Sequence, residues 1–210
     1  MKKFSFIFVI LVSLLFTSCI DYVQTVTYKD GKYQLYYKVT LSKVIFAMVD
    51  EDPESIFDEF DEEALSELPE NVVVHPVNTD LEVGAEFTMT IDPRTTDETE
   101  KEFLPTVAGK KCFIPFLFGN DDSISNSLKS SEDSEGEAIA SAMLSSAKCR
   151  IMISKKVIPE IETAYFEGRG GQNYSVALFD YGESWCAEIP FIMITEDTKY
   201  KFDKLIVIKK

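Results

Sequence analysis

Val23-Gln24-Thr25-Val26-Thr27-Tyr28-Lys29-Asp30-Gly31-Lys32-Tyr33-Gln34-Leu35-Tyr36-Tyr37-Lys38-Val39-Thr40-Leu41 is the stretch whose pattern sets the fold. Val23 to Tyr28 is rich in β-branched and aromatic residues, Asp30-Gly31 is a tight-turn pair, and a second arm runs from Lys32 to Ile45. In that arm Tyr33, Leu35, Tyr37, Val39 and Leu41 alternate with Lys32, Gln34, Tyr36, Lys38 and Thr40. A period of two joined through Asp-Gly predicts a β-hairpin with one buried face.

Working outward, further strands are expected at Val72–Val77 and Ala85–Ile91, with a polar turn near Asn78–Gly84, and at Cys112–Phe118. More follow at Cys149–Lys155, Ile161–Phe166, Tyr174–Phe179, Trp185–Ile194 and Leu205–Ile208. Gly168-Arg169-Gly170-Gly171 and Asp180-Tyr181-Gly182 read as hairpin turns, and Asp92–Lys101 as a loop.

Two helices are predicted. Asp52 can cap the first and Pro53 fits its first turn, with Ile56, Phe57, Phe60, Ala64, Leu65 and Leu68 at helical spacing and Pro69 ending it. Ser134 and Glu137 have capping-box spacing and open a second helix through Ala147. Residues 119–135, dense in Ser and acids, read as a mobile surface loop. The fold class expected is α+β: a largely antiparallel sheet with two helices packed on one face.

The chain of 210 residues carries a net charge of −15, with 45% hydrophobic residues, sixteen Phe and nine Tyr. Such a composition supports a packed core. The charge excludes nucleic acid, whose phosphates would repel this chain, and gives no attraction to anionic headgroups.

The amino terminus has three zones. Lys2 and Lys3 are followed by an apolar run from Phe4 to Phe16 and then by Thr17-Ser18-Cys19. A run of roughly 13 residues is short of the roughly 20 needed to span a bilayer, and it matches the apolar region of an export signal. Phe16-Thr17-Ser18-Cys19 resembles the lipobox of bacterial lipoproteins, with Phe16 replacing the usual Leu, a relaxation associated with spirochaete lipoproteins. The resemblance covers the first nineteen residues. It implies a signal peptide at 1–18 and a mature envelope domain at 19–210, with a diacylglyceryl group on the Cys19 sulfur and an acylated new amino terminus. Removing Lys2 and Lys3 with the signal takes the net charge to −17. Ile20 rather than Asp follows the cysteine, which leans toward the outer membrane over the inner, on the periplasmic or surface side.

An anchored cysteine, an Asp-Gly hairpin with a long second arm, an amphipathic helix and a strand pair are similar in order to LppM-like lipoproteins, over Cys19 to Ile91. That resemblance implies an α+β domain with a lipid-accommodating cavity, and it carries no functional residues over.

Cys112, Cys149 and Cys186 remain after acylation, allowing one disulfide at most. Their equal spacing of thirty-seven residues reads as coincidence, because the flanking similarity fades outward. None has a nearby Cys or His at zinc spacing, so no metal and no cofactor are expected. The acidic run Asp50–Glu63 fails as a calcium loop, with Ser55 where the bend needs Gly, and reads as a solvated helix face. His75 is the single histidine and reads as a strand-edge residue. No Gly-x-Ser-x-Gly elbow is present, and Gly168-Arg169-Gly170-Gly171 lacks the Lys-Ser/Thr of a phosphate loop.

Cys112–Phe118 and Ile189–Ile194 are apolar on both alternating faces. They read either as strands buried on both sides or as walls of an apolar pocket. Phe113, Phe116, Phe118, Trp185 and Phe191 are the candidate ligand-binding residues. The expected function is a non-enzymatic, membrane-anchored binding module with an apolar cleft for a lipid-like ligand. The alternative is a structural or assembly lipoprotein that meets envelope protein partners.

Overall fold

A computed structural model describes residues 20–44, 46, 52, 69, 71–116, 147–168, 170–191, 193 and 200–210. Strand β1 (Ile20–Lys29) turns through Asp30-Gly31 into β2 (Lys32–Ser42), paired from Ile20↔Leu41 to Lys29↔Lys32. Asp30 at φ 54° and Gly31 at φ 81° both take the left-handed conformation that a two-residue turn needs to match strand twist. β3 (Val72–Asn78) and β4 (Glu82–Ile91) form the next antiparallel pair.

A one-turn helix, α1 (Glu98–Lys101), is capped by the Asp97 side chain, which accepts from the Glu100 N–H. Then come β5 (Thr106–Ala108), β6 (Lys111–Pro115), β7 (Lys148–Ser154), β8 (Ile161–Gly168) and β9 (Asn173–Ser175). β10 (Ala177–Asp180), β11 (Ser184–Pro190) and β12 (Tyr200–Lys209) complete the chain. The strands build two sheets, ordered β10-β11-β7-β1-β2-β4-β3 and β5-β6-β12-β8-β9. Every pairing is antiparallel except β1 with β7.

The expected α+β fold is therefore corrected. Strands take 65% of the described residues and helix about 7%, and among the described residues no helix reaches seven residues. The inner face of the larger sheet is covered by a second sheet. Tyr22, Val26, Leu35, Tyr37, Met89, Ile151, Ile153 and Ile189 from one sheet share a single core with Cys112, Ile114, Ala164, Phe166, Leu205 and Val207 from the other. This is a β-sandwich, in which alternate residues of each strand meet between the layers. The segments read as helices, 52–68 and 134–147, lie outside the described residues apart from Asp52 and Ala147, as do 1–19 and the loop at 119–135.

A polar strut crosses the core. Gln24, only 1% exposed, accepts from the Tyr22 hydroxyl at 3.1 Å and donates through Nε2 to the Pro115 carbonyl at 2.7 Å. Gln24 belongs to the larger sheet and Pro115 to the smaller, so this bond fixes one layer on the other. Gln24→Ala is expected to destabilise the fold by about 2–4 kcal/mol, combining a lost buried hydrogen bond with a cavity. Urea unfolding followed through Trp185 checks it, and a cost below about 0.5 kcal/mol would show the strut to be dispensable.

The chain changes layer between β9 and β10. Val176 is the single residue between these two edge strands, and its N–H donates to the Ala164 carbonyl at 2.9 Å. The expected strand Tyr174–Phe179 is thus two short strands in different sheets.

Candidate functional site

At one end of the larger sheet, β1 begins at Ile20. Its neighbour β7 begins level with it, Asp21 opposite Lys148, and β11 ends there, Pro190 opposite Lys148. Beside this end lies an open depression of about 310 Å³ lined by Lys148, Ser175, Val176, Ala177, Glu188, Pro190 and Met193. Val176, Ala177, Pro190 and Met193 make it mainly apolar, and Val176, where the chain changes layer, is part of its wall.

Its polar rim is a chain of ion pairs. Lys148 Nζ donates to Glu188 at 2.8 Å, Arg150 lies 3.6 Å from the other Glu188 oxygen, and Arg150 donates to Asp21 at 3.0 Å. The hydrogen bond from Lys148 is the main cause holding the Glu188 carboxyl below its ordinary range. Away from the depression, across β1, Lys38 and Thr40 of β2 donate to Glu82 of β4 at 2.8 and 2.9 Å, and the bond from Lys38 lowers the Glu82 carboxyl. The rim is therefore charged yet locally compensated.

A second open depression, also about 310 Å³, lies on the outer face of the smaller sheet, lined by Thr106, Phe113, Glu167, Asp203, Lys204 and Ile206. It sits at the irregularity where the register of β12 on β8 jumps between Lys201 and Ile206. The extra residues of this irregularity lie in β12 and include Asp203 and Lys204.

The four aromatic candidates among the described residues, Phe113, Phe116, Trp185 and Phe191, are not gathered into one cleft. Phe116, 5% exposed, fills the core with its ring edge-on to Tyr22 at 5.4 Å and to Phe166 at 6.1 Å. Phe113 points the other way from its neighbours Cys112 and Ile114 and borders the second depression. The Trp185 indole N–H donates to the Ile158 carbonyl at 3.2 Å, under the Lys155 ammonium at 4.7 Å. Phe191 packs on the core between Pro190 and Met193, at the far end of β11 from Trp185. Phe118 lies outside the described residues, as does Cys19.

The remaining residues singled out from the sequence are scattered. His75 is exposed on β3, the edge strand of its sheet. Cys112, Cys149 and Cys186 are buried and free. Burial pushes the Cys112 thiol up to about 11 and raises the other two, so none is an activated nucleophile at neutral pH. Cys112 lies in the smaller sheet and Cys149 in the larger, so their equal spacing marks no structural repeat. Among the described residues no group of three or more His, Cys, Asp or Glu could hold a metal ion. Within the Asp50–Glu63 run, Asp52 alone is described.

Fold and site together define a two-sheet β protein with a mainly apolar depression at the end of its larger sheet. No family model, no curated protein and no solved structure matches the chain.

Proposed function

We propose that this chain is a lipoprotein of the bacterial cell envelope, anchored through acyl groups on Cys19, and that it is a non-enzymatic binding module for a lipid-like ligand. The observation that carries the reading is the junction of lipobox and fold: Cys19 directly precedes Ile20, the first residue of β1, a strand inside the larger sheet. No tether separates the two. The acyl group is thus one peptide unit, 3.8 Å between α-carbons, from the folded domain.

The depression bounded by Val176, Ala177, Pro190 and Met193 lies at this same end, two strands across from β1. At about 4.8 Å per strand, that is on the order of 10 Å from the anchor. A mainly apolar cavity of a few hundred Å³ suits part of an acyl chain, and the compensated rim leaves headgroup contacts to Lys148 and Ser175. The aromatic cleft expected from Phe113, Phe116, Phe118, Trp185 and Phe191 gives way, for its described members, to this site, with Phe191 beside it.

The test uses signal-less Cys19→Ser protein and radiolabelled fatty acid, with native mass spectrometry for co-purified lipid. Bound lipid is expected. Ala177→Trp, at an exposed position on the depression, is expected to weaken uptake by about tenfold, equivalent to about 1.4 kcal/mol. Absence of lipid from the parent protein, or full uptake by Ala177→Trp, rejects this site.

A further inference from the structure

We infer that the Ile20 end of the larger sheet is itself a bilayer-contact surface, with Val44 and Leu81 as its apolar contacts and Lys43 between them facing the headgroup phosphates. The inference rests on the lipoprotein reading above and extends it from an anchor to an orientation.

The register places these residues. Ile20 pairs with Leu41, Leu41 with Val83, and Ser42 with Glu82. One step beyond, the Lys43 N–H donates to the Leu81 carbonyl at 2.9 Å. Leu81 and Val44 therefore project past the level of Ile20, on the side from which Cys19 enters. β4 is two strands from β1, on the order of 10 Å. Leu81 is 76% exposed and Val44 57%. Single exposed apolar residues are ordinary on a protein surface. Two of them on one rim, both leading the chain end that bears an acyl cysteine, are placed where a bilayer would bury them.

Charge argues the same way. A body with a net charge of −17 is repelled by anionic headgroups unless the approaching face is compensated. Asp21, Glu188 and Glu82 at this end are paired with Arg150, Lys148 and Lys38. Asp80 beside Leu81 adds a negative charge, and Lys43 offsets it across the turn, bonded to Asn78 Oδ1 at 2.6 Å. Among the described residues the rim is close to neutral, while the chain as a whole is strongly acidic.

The experiment uses the acylated full-length protein in phosphatidylcholine vesicles, with and without phosphatidylglycerol. Nitroxide labels are attached through Leu81→Cys, Val44→Cys or, as control, Asp30→Cys at the opposite end of β1. The three described native thiols are buried and resist labelling. Labels at 81 and 44 are expected to be several-fold more accessible to oxygen, and less to a water-soluble nickel chelate, than the label at 30. Equal water access at all three positions in acylated protein overturns the inference and leaves the anchor standing. A mature protein without thioether-linked acyl groups by mass spectrometry overturns the lipoprotein reading, and this orientation with it.

Discussion

Gly84→Ala is expected to destabilise the protein by about 3–5 kcal/mol. Gly84 lies in β4, opposite Thr40 of β2 on one side and Val77 of β3 on the other, so backbone surrounds it in the plane of the sheet. A β-carbon at this position would fall 2.1 Å from the Val39 carbonyl oxygen and 2.8 Å from the Thr40 α-carbon. Both obstacles are main chain and cannot rotate away. Relief requires β2 and β4 to separate, which disturbs buried Thr40 and its bond to Glu82. Overpacking contributes about 1–3 kcal/mol. The φ of +156°, seldom adopted by residues with a side chain, adds a comparable strain. The melting temperature should fall by about 6–20 °C for a domain of this size. Gly109→Ala is the control: its φ is +61°, but no atom lies within 4 Å of the added carbon, and the cost should stay near 1 kcal/mol. Thermal unfolding followed by circular dichroism separates the two, and equal losses would mean that the close approach at Gly84 is absent.

The clash shows which parts of this fold a sequence can express. The Asp30-Gly31 hairpin is legible because turn chemistry and a period of two are local signals: the second arm alternates through Leu35 and Tyr37, although Thr40 on its polar side is buried too, and the first arm turns Tyr22, Gln24 and Val26 inward. The partner of the buried face was not legible. Alternation states that a strand has an apolar face, and it is silent on whether helices or another sheet cover it. The same silence explains Phe116. Cys112–Phe118 is apolar on both faces, a pattern shared by a pocket wall and a filled core, and only the rings of Tyr22 and Phe166 decide for the core. Val176, where the chain changes sheet, carries no Gly or Pro to announce it. The depression it lines draws residues from β7, β9, β10, β11 and Met193 beyond, with no spacing that a motif could capture. Cys19 is the opposite case: the signal is entirely local, and it stands outside the described residues.

Loss of the acyl group proposed on Cys19, with the export signal still removed, is expected to move the domain from the membrane fraction to the soluble periplasmic or released fraction. Each buried methylene contributes about 0.8 kcal/mol, so two acyl chains on Cys19, as proposed, would together supply on the order of 20 kcal/mol of anchoring. Little else among the described residues compares with that. Among the described residues no helix is long and apolar enough to cross a membrane. The pair Val44 and Leu81 offers about 1.5–3 kcal/mol per fully buried side chain, and a net charge of −15, which the proposed signal removal would take to −17, opposes binding to anionic lipid. One complication has to be designed out. Replacing the cysteine also blocks the processing that follows acylation, and an uncleaved signal would retain Phe4–Phe16 as an apolar tail. The decisive comparison therefore joins residues 20–210 to an export signal that is cut without acylation. If that protein partitions with membranes after a high-salt wash, the acyl group is not the anchor, because salt removes the electrostatic contribution and leaves only apolar contact to hold it. If it is released while the parent stays in the pellet and incorporates labelled palmitate, one thioether at the head of β1 accounts for the location of the whole domain.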